Sequence, residues 1–159
     1  MSVRRPCAPG DPVVLKTRGN ILKSLNRADE ALLSYEAMLA VRPYDAVALN
    51  NRGNVLKSLK QFDEALASYD KAIGLKSDFP DALYNRGYVL LNLDRLDEAL
   101  ASFDRVVALK PDHGEAFKRR GNVLTQLRRH EEAGASFDRA VELLIAARAK
   151  APLRSDHPD

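Results

Sequence analysis

The chain has no tryptophan, one cysteine and two methionines, and aromatic residues make up only 6% of its 159 positions. A core with few large rings has to be filled by Ala, Leu and Val, which suits close helix–helix packing better than a β-sandwich. The lone Cys7 cannot close an internal disulfide, so nothing calls for an oxidising compartment. No run approaches the ~20 apolar residues that span a bilayer. Arg4-Arg5 are followed by no apolar stretch of the kind a signal peptide carries. An excess of charge of one sign is also missing: 25 basic side chains face 22 acidic ones, for a net charge of +3. Nucleic-acid binding needs a concentrated basic face, and the pairs Arg4-Arg5 and Arg128-Arg129 are too short to make one. The three histidines, His113, His130 and His157, share no face with one another or with Cys7, and no His/Cys group has metal-ligand spacing. These absences lead us to expect a soluble, cytoplasmic protein with no catalytic site, metal or cofactor, and no nucleic-acid or membrane partner.

What is present is repetition. Arg-Gly-Asn stands at Arg18-Gly19-Asn20, Arg52-Gly53-Asn54 and Arg120-Gly121-Asn122, with Arg86-Gly87-Tyr88 between the last two, each copy 34 residues after the one before. Asp29-Glu30-Ala31, Asp63-Glu64-Ala65, Asp97-Glu98-Ala99 and Glu131-Glu132-Ala133 keep the same step. A period held over four copies means one supersecondary unit stacked on itself. With units starting at Pro12, Ala46, Pro80 and Gly114, apolar residues recur at positions 4, 10, 11 and 14 of each first half. In the first unit these are Leu15, Ile21, Leu22 and Leu25, and in the second Leu49, Val55, Leu56 and Leu59. This is one face of an α-helix, helix A, and predicts a buried stripe in every unit. The second half carries a stripe of its own, such as Ala65, Leu66, Tyr69, Ala72 and Ile73, and an acidic first turn that complements the helix dipole. It predicts helix B. Polar breakers such as Asn26-Arg27 and Lys60-Gln61 separate the two, Asp11-Pro12 supplies a first N-cap, and Pro43, Pro80 and Pro111 mark three unit boundaries.

Gly19, Gly53, Gly87 and Gly121 fall inside helix A, where glycine costs about 1 kcal/mol relative to alanine. Opposite the small Ala at position 20 and the ring at position 24, they are read as points of close backbone approach. A phosphate-binding glycine loop would need a preceding strand, and no strand pattern is visible.

Leu at position 4, Gly at 8, Ala at 20, an aromatic at 24 and Pro at 32 (Pro43 and Pro111; Ser77 in the second unit) together resemble the tetratricopeptide repeat family. The resemblance covers residues 12–147. It implies an all-α fold, a right-handed superhelical solenoid of four helix-turn-helix repeats at 12–45, 46–79, 80–113 and 114–147, with helix A lining a concave groove. Residues 1–11 and 151–159 are expected to be disordered tails. The fourth unit is degenerate: His130 and Gly134 replace apolar residues, and no proline ends it. Its last helix is therefore expected to continue to about Lys150. Leu144 and Ile145 would then be partly exposed, on an end face that could pair two copies as a homodimer.

The same resemblance places positions 2, 5, 6, 9, 12 and 13 of helix A in the groove. The candidate peptide-binding residues are Lys16, Asn20 and Lys23 in the first unit and Asn50, Asn51, Asn54 and Lys57 in the second. The third contributes Tyr84, Asn85, Tyr88 and Asn92, and the fourth Lys118, Arg119 and Asn122. Amides can hydrogen-bond both edges of a peptide backbone, and Tyr84 and Tyr88, one turn apart, add rigid contact area. The array is therefore expected to be a non-enzymatic adaptor or scaffold holding an extended or helical segment of another protein. Lys16, Asn20 and Asn51 match three members of the clamp by which some family members capture a chaperone's C-terminal carboxylate, but Asp81 and Asn85 stand where the other two would be cationic. Asn51, Asn54 and Asn85 are similar to the groove asparagines of O-linked N-acetylglucosamine transferases. The alternative expectation is thus a substrate-recruiting module related to those enzymes, without their catalytic region.

Overall fold

A computed structural model describes residues 10–150. Cys7, Arg4-Arg5, His157 and both expected tails lie outside the described residues, apart from Gly10 and Asp11. Every described element is a helix: α1 Pro12–Ser24, α2 Ala28–Val41, α3 Ala46–Ser58, α4 Phe62–Leu75, α5 Pro80–Asn92, α6 Leu96–Leu109, α7 Gly114–Gln126 and α8 His130–Lys150. None is long and apolar enough to cross a membrane. The odd-numbered helices are the A helices and the even-numbered ones the B helices.

The turn from A to B is the same in all four units. One residue takes the left-handed conformation, Asn26, Lys60, Asp94 or Arg128, with φ of 57° to 60°. In the first unit Arg27 N donates to Leu22 O (2.9 Å) and Asn26 N to Lys23 O (3.1 Å), which satisfies the last carbonyls of α1 in a Schellman motif. Helix A starts vary more. Asp11 and Asp45 cap α1 and α3 by accepting the Val13 and Ala48 N–H at 2.8 Å. α5 begins on Pro80, and His113 Nδ1 accepts the Ala116 N–H at 3.2 Å to cap α7.

Each A helix packs on its own B helix, and each B helix on the A helix that follows. Successive A helices also touch, α1 on α3, α3 on α5 and α5 on α7, whereas successive B helices do not. A stack whose A helices are crowded and whose B helices are splayed must curve toward the A side. The A helices therefore form the inner, concave wall of an all-α solenoid.

The glycines sit where rings demand it. A Cβ added at Gly53 would lie 2.6 Å from Tyr69 Cε1, and one at Gly121 would lie 2.6 Å from Phe137 Cε1. Alanines 31, 65, 99 and 133 complete the close A–B approach and are all buried. In the first unit the predicted core stripe is corrected. Ile21 and Leu25 are 54% and 60% exposed, although Val55, Val89 and Val123, at the position of Ile21, are at most 1% exposed. That position is covered by the preceding unit's B helix, and no described helix precedes α1.

A further repeating feature escaped the sequence reading. The arginine at position 7 donates to a buried serine of its own B helix, Arg86 Nη1 to Ser102 Oγ at 2.8 Å, for example. The same guanidinium reaches back across the junction to an acid of the preceding B helix. Arg52 meets Glu36 at 3.1 Å, Arg86 meets Asp70 at 2.6 Å and Arg120 meets Asp104 at 2.6 Å. Each junction thus carries one charge-assisted bond anchored at a fixed serine.

Candidate functional site

The side chains of the concave wall fall into three sets according to what already occupies them. In the first and third units position 5 is occupied from within the fold, whereas Lys118, at position 5 of the fourth, is exposed. Lys16 Nζ pairs with Asp45 Oδ2 at 3.1 Å, and the Tyr84 ring stacks on His113 at 5.2 Å while meeting Phe103 edge-on at 5.8 Å. In both cases position 5 of one unit meets the cap of the next A helix. Asn50 follows the same rule and corrects the groove expectation: it is buried, and its Oδ1 has no hydrogen-bond partner. The cap at the matching place is Phe79, whose ring offers no donor. An orphaned amide oxygen of this kind costs about 1–3 kcal/mol.

Position 9 is partly engaged by the core. Tyr35 Oη donates to Asn20 Oδ1 at 2.6 Å and Tyr69 Oη to Asn54 Oδ1 at 2.8 Å. Burial pushes the Tyr35 hydroxyl up to about 12 and raises that of Tyr69 further, so both phenols stay protonated donors. The recurrence of asparagine here therefore has an explanation within the fold. Where the ring is Phe103 the position holds Tyr88, and where it is Phe137 Asn122 makes no side-chain hydrogen bond among the described residues. Asn51 Nδ2 adds a bond to Asn20 Oδ1 at 3.2 Å, and Asn85 Nδ2 donates to Asp81 O at 2.8 Å. Asn92 is exposed and donates to Tyr88 O at 2.7 Å. Few of these amides are left to grip a peptide backbone.

The third set links position 12 of one unit to position 6 of the next. Lys23 Nζ donates to Asn51 Oδ1 at 3.5 Å, and Lys57 Nζ to Asn85 Oδ1 at 2.7 Å. At the last junction the pair is Leu91 and Arg119. Leucine accepts nothing, and Arg119 Nε is buried without a partner. From the two flanking helices, Lys57 Nζ and Arg119 Cζ stand 5.3 Å and 5.2 Å from the centroid of Tyr88, within cation–π range. Lys16 has Asp45 and Lys118 has Glu115 at 3.2 Å, but Lys23, Lys57 and Arg119 have no carboxylate within 4.0 Å among the described residues. Burial, and then repulsion from Lys23, hold the Lys57 ammonium below the usual lysine range. The wall thus holds many internal polar links and, among the described residues, an unneutralised cationic patch around Tyr88.

Comparison with known proteins agrees with this architecture. Sequence models described as TPR repeat and tetratricopeptide repeat match residues 53–94 and 84–152. Together they span more than half of the chain, which belongs to the tetratricopeptide repeat family. A crystal structure of MamA superposes with a TM-score of 0.85 at 20% identity, covering 89% of this chain and 82% of that one. MamA from Desulfovibrio magneticus RS-1 gives 0.81 at 22% identity, over 90% and 79% of the two chains. The first TPR of Spaghetti (RPAP3), bound to the HSP90 peptide SRMEEVD, gives 0.73 at 27% identity, over 80% of this chain and 99% of that one. The MamA likenesses show the shared fold. No curated protein matches the chain in sequence.

Proposed function

We propose that the protein is a non-enzymatic interaction module, an adaptor that holds an extended acidic segment of another protein against its concave wall. The segment lies over Tyr88, with carboxylates on Lys57 and Arg119. The observation that carries this reading is the cationic pair flanking one ring with no acid in reach. A carboxylate arriving there would pair with the Arg119 guanidinium and relieve the repulsion between Lys57 and Lys23. Charge-assisted bonds of this type are about twice as strong as neutral ones. The RPAP3 domain offers a parallel, since its peptide SRMEEVD has three acidic side chains and one basic. The likeness does not extend to the clamp itself. Here Lys16 is held by Asp45, Asn20 by Tyr35 and Asn51, and Asp81 lies 3.6 Å from Lys110.

Fluorescence anisotropy with labelled SRMEEVD, and with a control in which Glu and Asp become Gln and Asn, tests the proposal. The acidic probe should bind, more weakly as salt rises, and the neutral one should not. Lys57→Ala with Arg119→Ala should weaken binding by roughly tenfold or more, since each lost charge-assisted bond is worth ~1.5–3 kcal/mol, while Lys118→Ala should change little. Because the Lys57 ammonium sits below its ordinary range, affinity should begin to fall at an alkaline pH lower than a free lysine would predict. Equal binding of both probes, or an unaffected double variant, would reject the reading.

A further inference from the structure

The arginine–acid ladder is cut at both ends of the array. Its three complete rungs join residues 16 apart in sequence, Glu36 with Arg52, Asp70 with Arg86 and Asp104 with Arg120. Arg18 begins the series on α1. It donates to Ser34 Oγ at 3.2 Å, as its counterparts do to their serines, but no acid is bonded to it among the described residues. Asp138, the corresponding acid on α8, closes the series with no cation bonded to it among the described residues. Both side chains are exposed. One end therefore offers the arginine half of a rung and the other end the acid half, at the places that are joined inside the chain.

The apolar surfaces of the two ends are complementary in the same way. Ile21 on α1 and Leu25 just after it lie open, while Val55, Val89 and Val123, equivalent to Ile21, are buried. On α8, Val141 is 56% exposed, whereas Leu39, Ile73 and Val107 at its position are half-buried. Leu32, Leu66 and Leu100 pack with the cores that hold the valines of the next unit, but α8 has Gly134 at their position, with open space above it. One end thus carries a larger side chain than its equivalents, Ile21 in place of Val, and the other lacks a side chain, at Gly134.

We infer that copies of this chain associate head to tail, with the α1 face of one on the α8 face of the next, Arg18 pairing with the next copy's Asp138 as the ladder prescribes. The contact is heterologous, so it leaves a free face at each end and grows beyond two copies. The rival occupant of the α8 face is the chain's own C-terminal segment, since Arg154 also lies 16 residues after an acid. Inside the array that spacing depends on a turn after each B helix. α8 instead runs on to Lys150 without one. The inference concerns the ends of the array and stands apart from the concave patch.

Sedimentation velocity over a wide concentration range tests it, with circular dichroism confirming that each variant keeps its helicity. The wild-type chain should grow with concentration past a dimer. Arg18→Asp and Asp138→Arg should each weaken association by at least roughly tenfold, because each sets like charges together. An equimolar mixture of the two variants should recover it, since each supplies the face that the other lacks. Removal of residues 151–159 should leave association intact. A wild-type monomer at all concentrations, growth that stops at a dimer and ignores Arg18→Asp, association that appears only after truncation, or a mixture no better than its components would each overturn the inference.

Discussion

The first unit and the third have nearly the same pattern and very different surroundings. Ile21 on α1 is 54% exposed, while its match on α5, Val89, is fully buried beside Leu90 in the main cluster with Leu66, Phe103 and Val123. Leu22, the residue on α1 that matches Leu90, is buried too, but in a small cluster with Ala31, Tyr35 and Val55. In a stack of this kind a residue is buried by its neighbours in the array, so one apolar letter can be core in one copy and surface in another. The comparison breaks most sharply under truncation. Leu90→Ala should cost about 2–5 kcal/mol, as removal of a fully buried leucine does. Leu25→Ala should change stability by no more than about 0.5 kcal/mol. Urea unfolding monitored by circular dichroism measures both. A similar loss at the two sites would mean that the α1 face is covered in solution, which is the occupancy that head-to-tail association supplies.

The glycines sharpen the same contrast at smaller amplitude. Gly53 faces Tyr69, with a Cβ position 2.6 Å from the ring, and Tyr69 is itself enclosed. At Gly19 the nearest ring atom would be 3.0 Å away, so the ring there has less distance to give. Alanine gains about 1 kcal/mol of helix propensity at either site. Overpacking of about 1–3 kcal/mol opposes that gain at Gly53 and exceeds it. Gly53→Ala should therefore lower stability by up to about 2 kcal/mol, while Gly19→Ala should stay within about 0.5 kcal/mol of the wild type. Equal effects would show that the first A–B pair is clamped as firmly as the second.

The sequence carried the helices and their pairing because those depend on local period. A stripe at positions 4, 10, 11 and 14, an acidic first turn and a glycine set against a ring are the same in each copy, so each copy repeats the message. What could not be read depends on partners at other distances. Asn50 is buried at the position where, one unit earlier, Lys16 meets Asp45, and Asn20 and Asn54 are engaged by the hydroxyls of Tyr35 and Tyr69. Recurring asparagines looked like a ligand surface, yet two of them answer a buried phenol. A partial signal was present in the covariation of the copies: asparagine accompanies tyrosine in the first two units and the third pairs Tyr88 with Phe103, although the fourth keeps Asn122 beside Phe137. The arginine–acid ladder was equally available as a constant spacing of 16 between unlike charges, visible only once charges were compared across unit boundaries.

The smallest contrast lies between junctions and is set by pH. At the first junction Asp45 accepts the Ala48 N–H and pairs with Lys16. The matching cap residue at the second junction is Phe79, and at the third it is His113. Burial by itself would raise the Asp45 carboxyl, but the Ala48 N–H and Lys16 together outweigh it and hold it below the ordinary range. A carboxyl lowered in the folded state contributes its stabilisation in full above the unfolded value, and loses it as the pH falls through the folded one. Acid should therefore loosen the α2–α3 junction before the α4–α5 junction, since the second has no cap to protonate. Asparagine at position 45 would still accept the cap bond without the charge facing Lys16. The stability of Asp45→Asn relative to the wild type should be lower by about 0.5–1 kcal/mol at neutral pH, a range kept small because the pair is partly solvated. The difference should close once the pH is below the lowered carboxyl value. Thermal unfolding of the two proteins across the acidic range reads it, and amide exchange at Leu49 locates it. A gap that persists in acid would assign the effect to packing around Asp45 and remove electrostatics as the feature that sets the first junction apart.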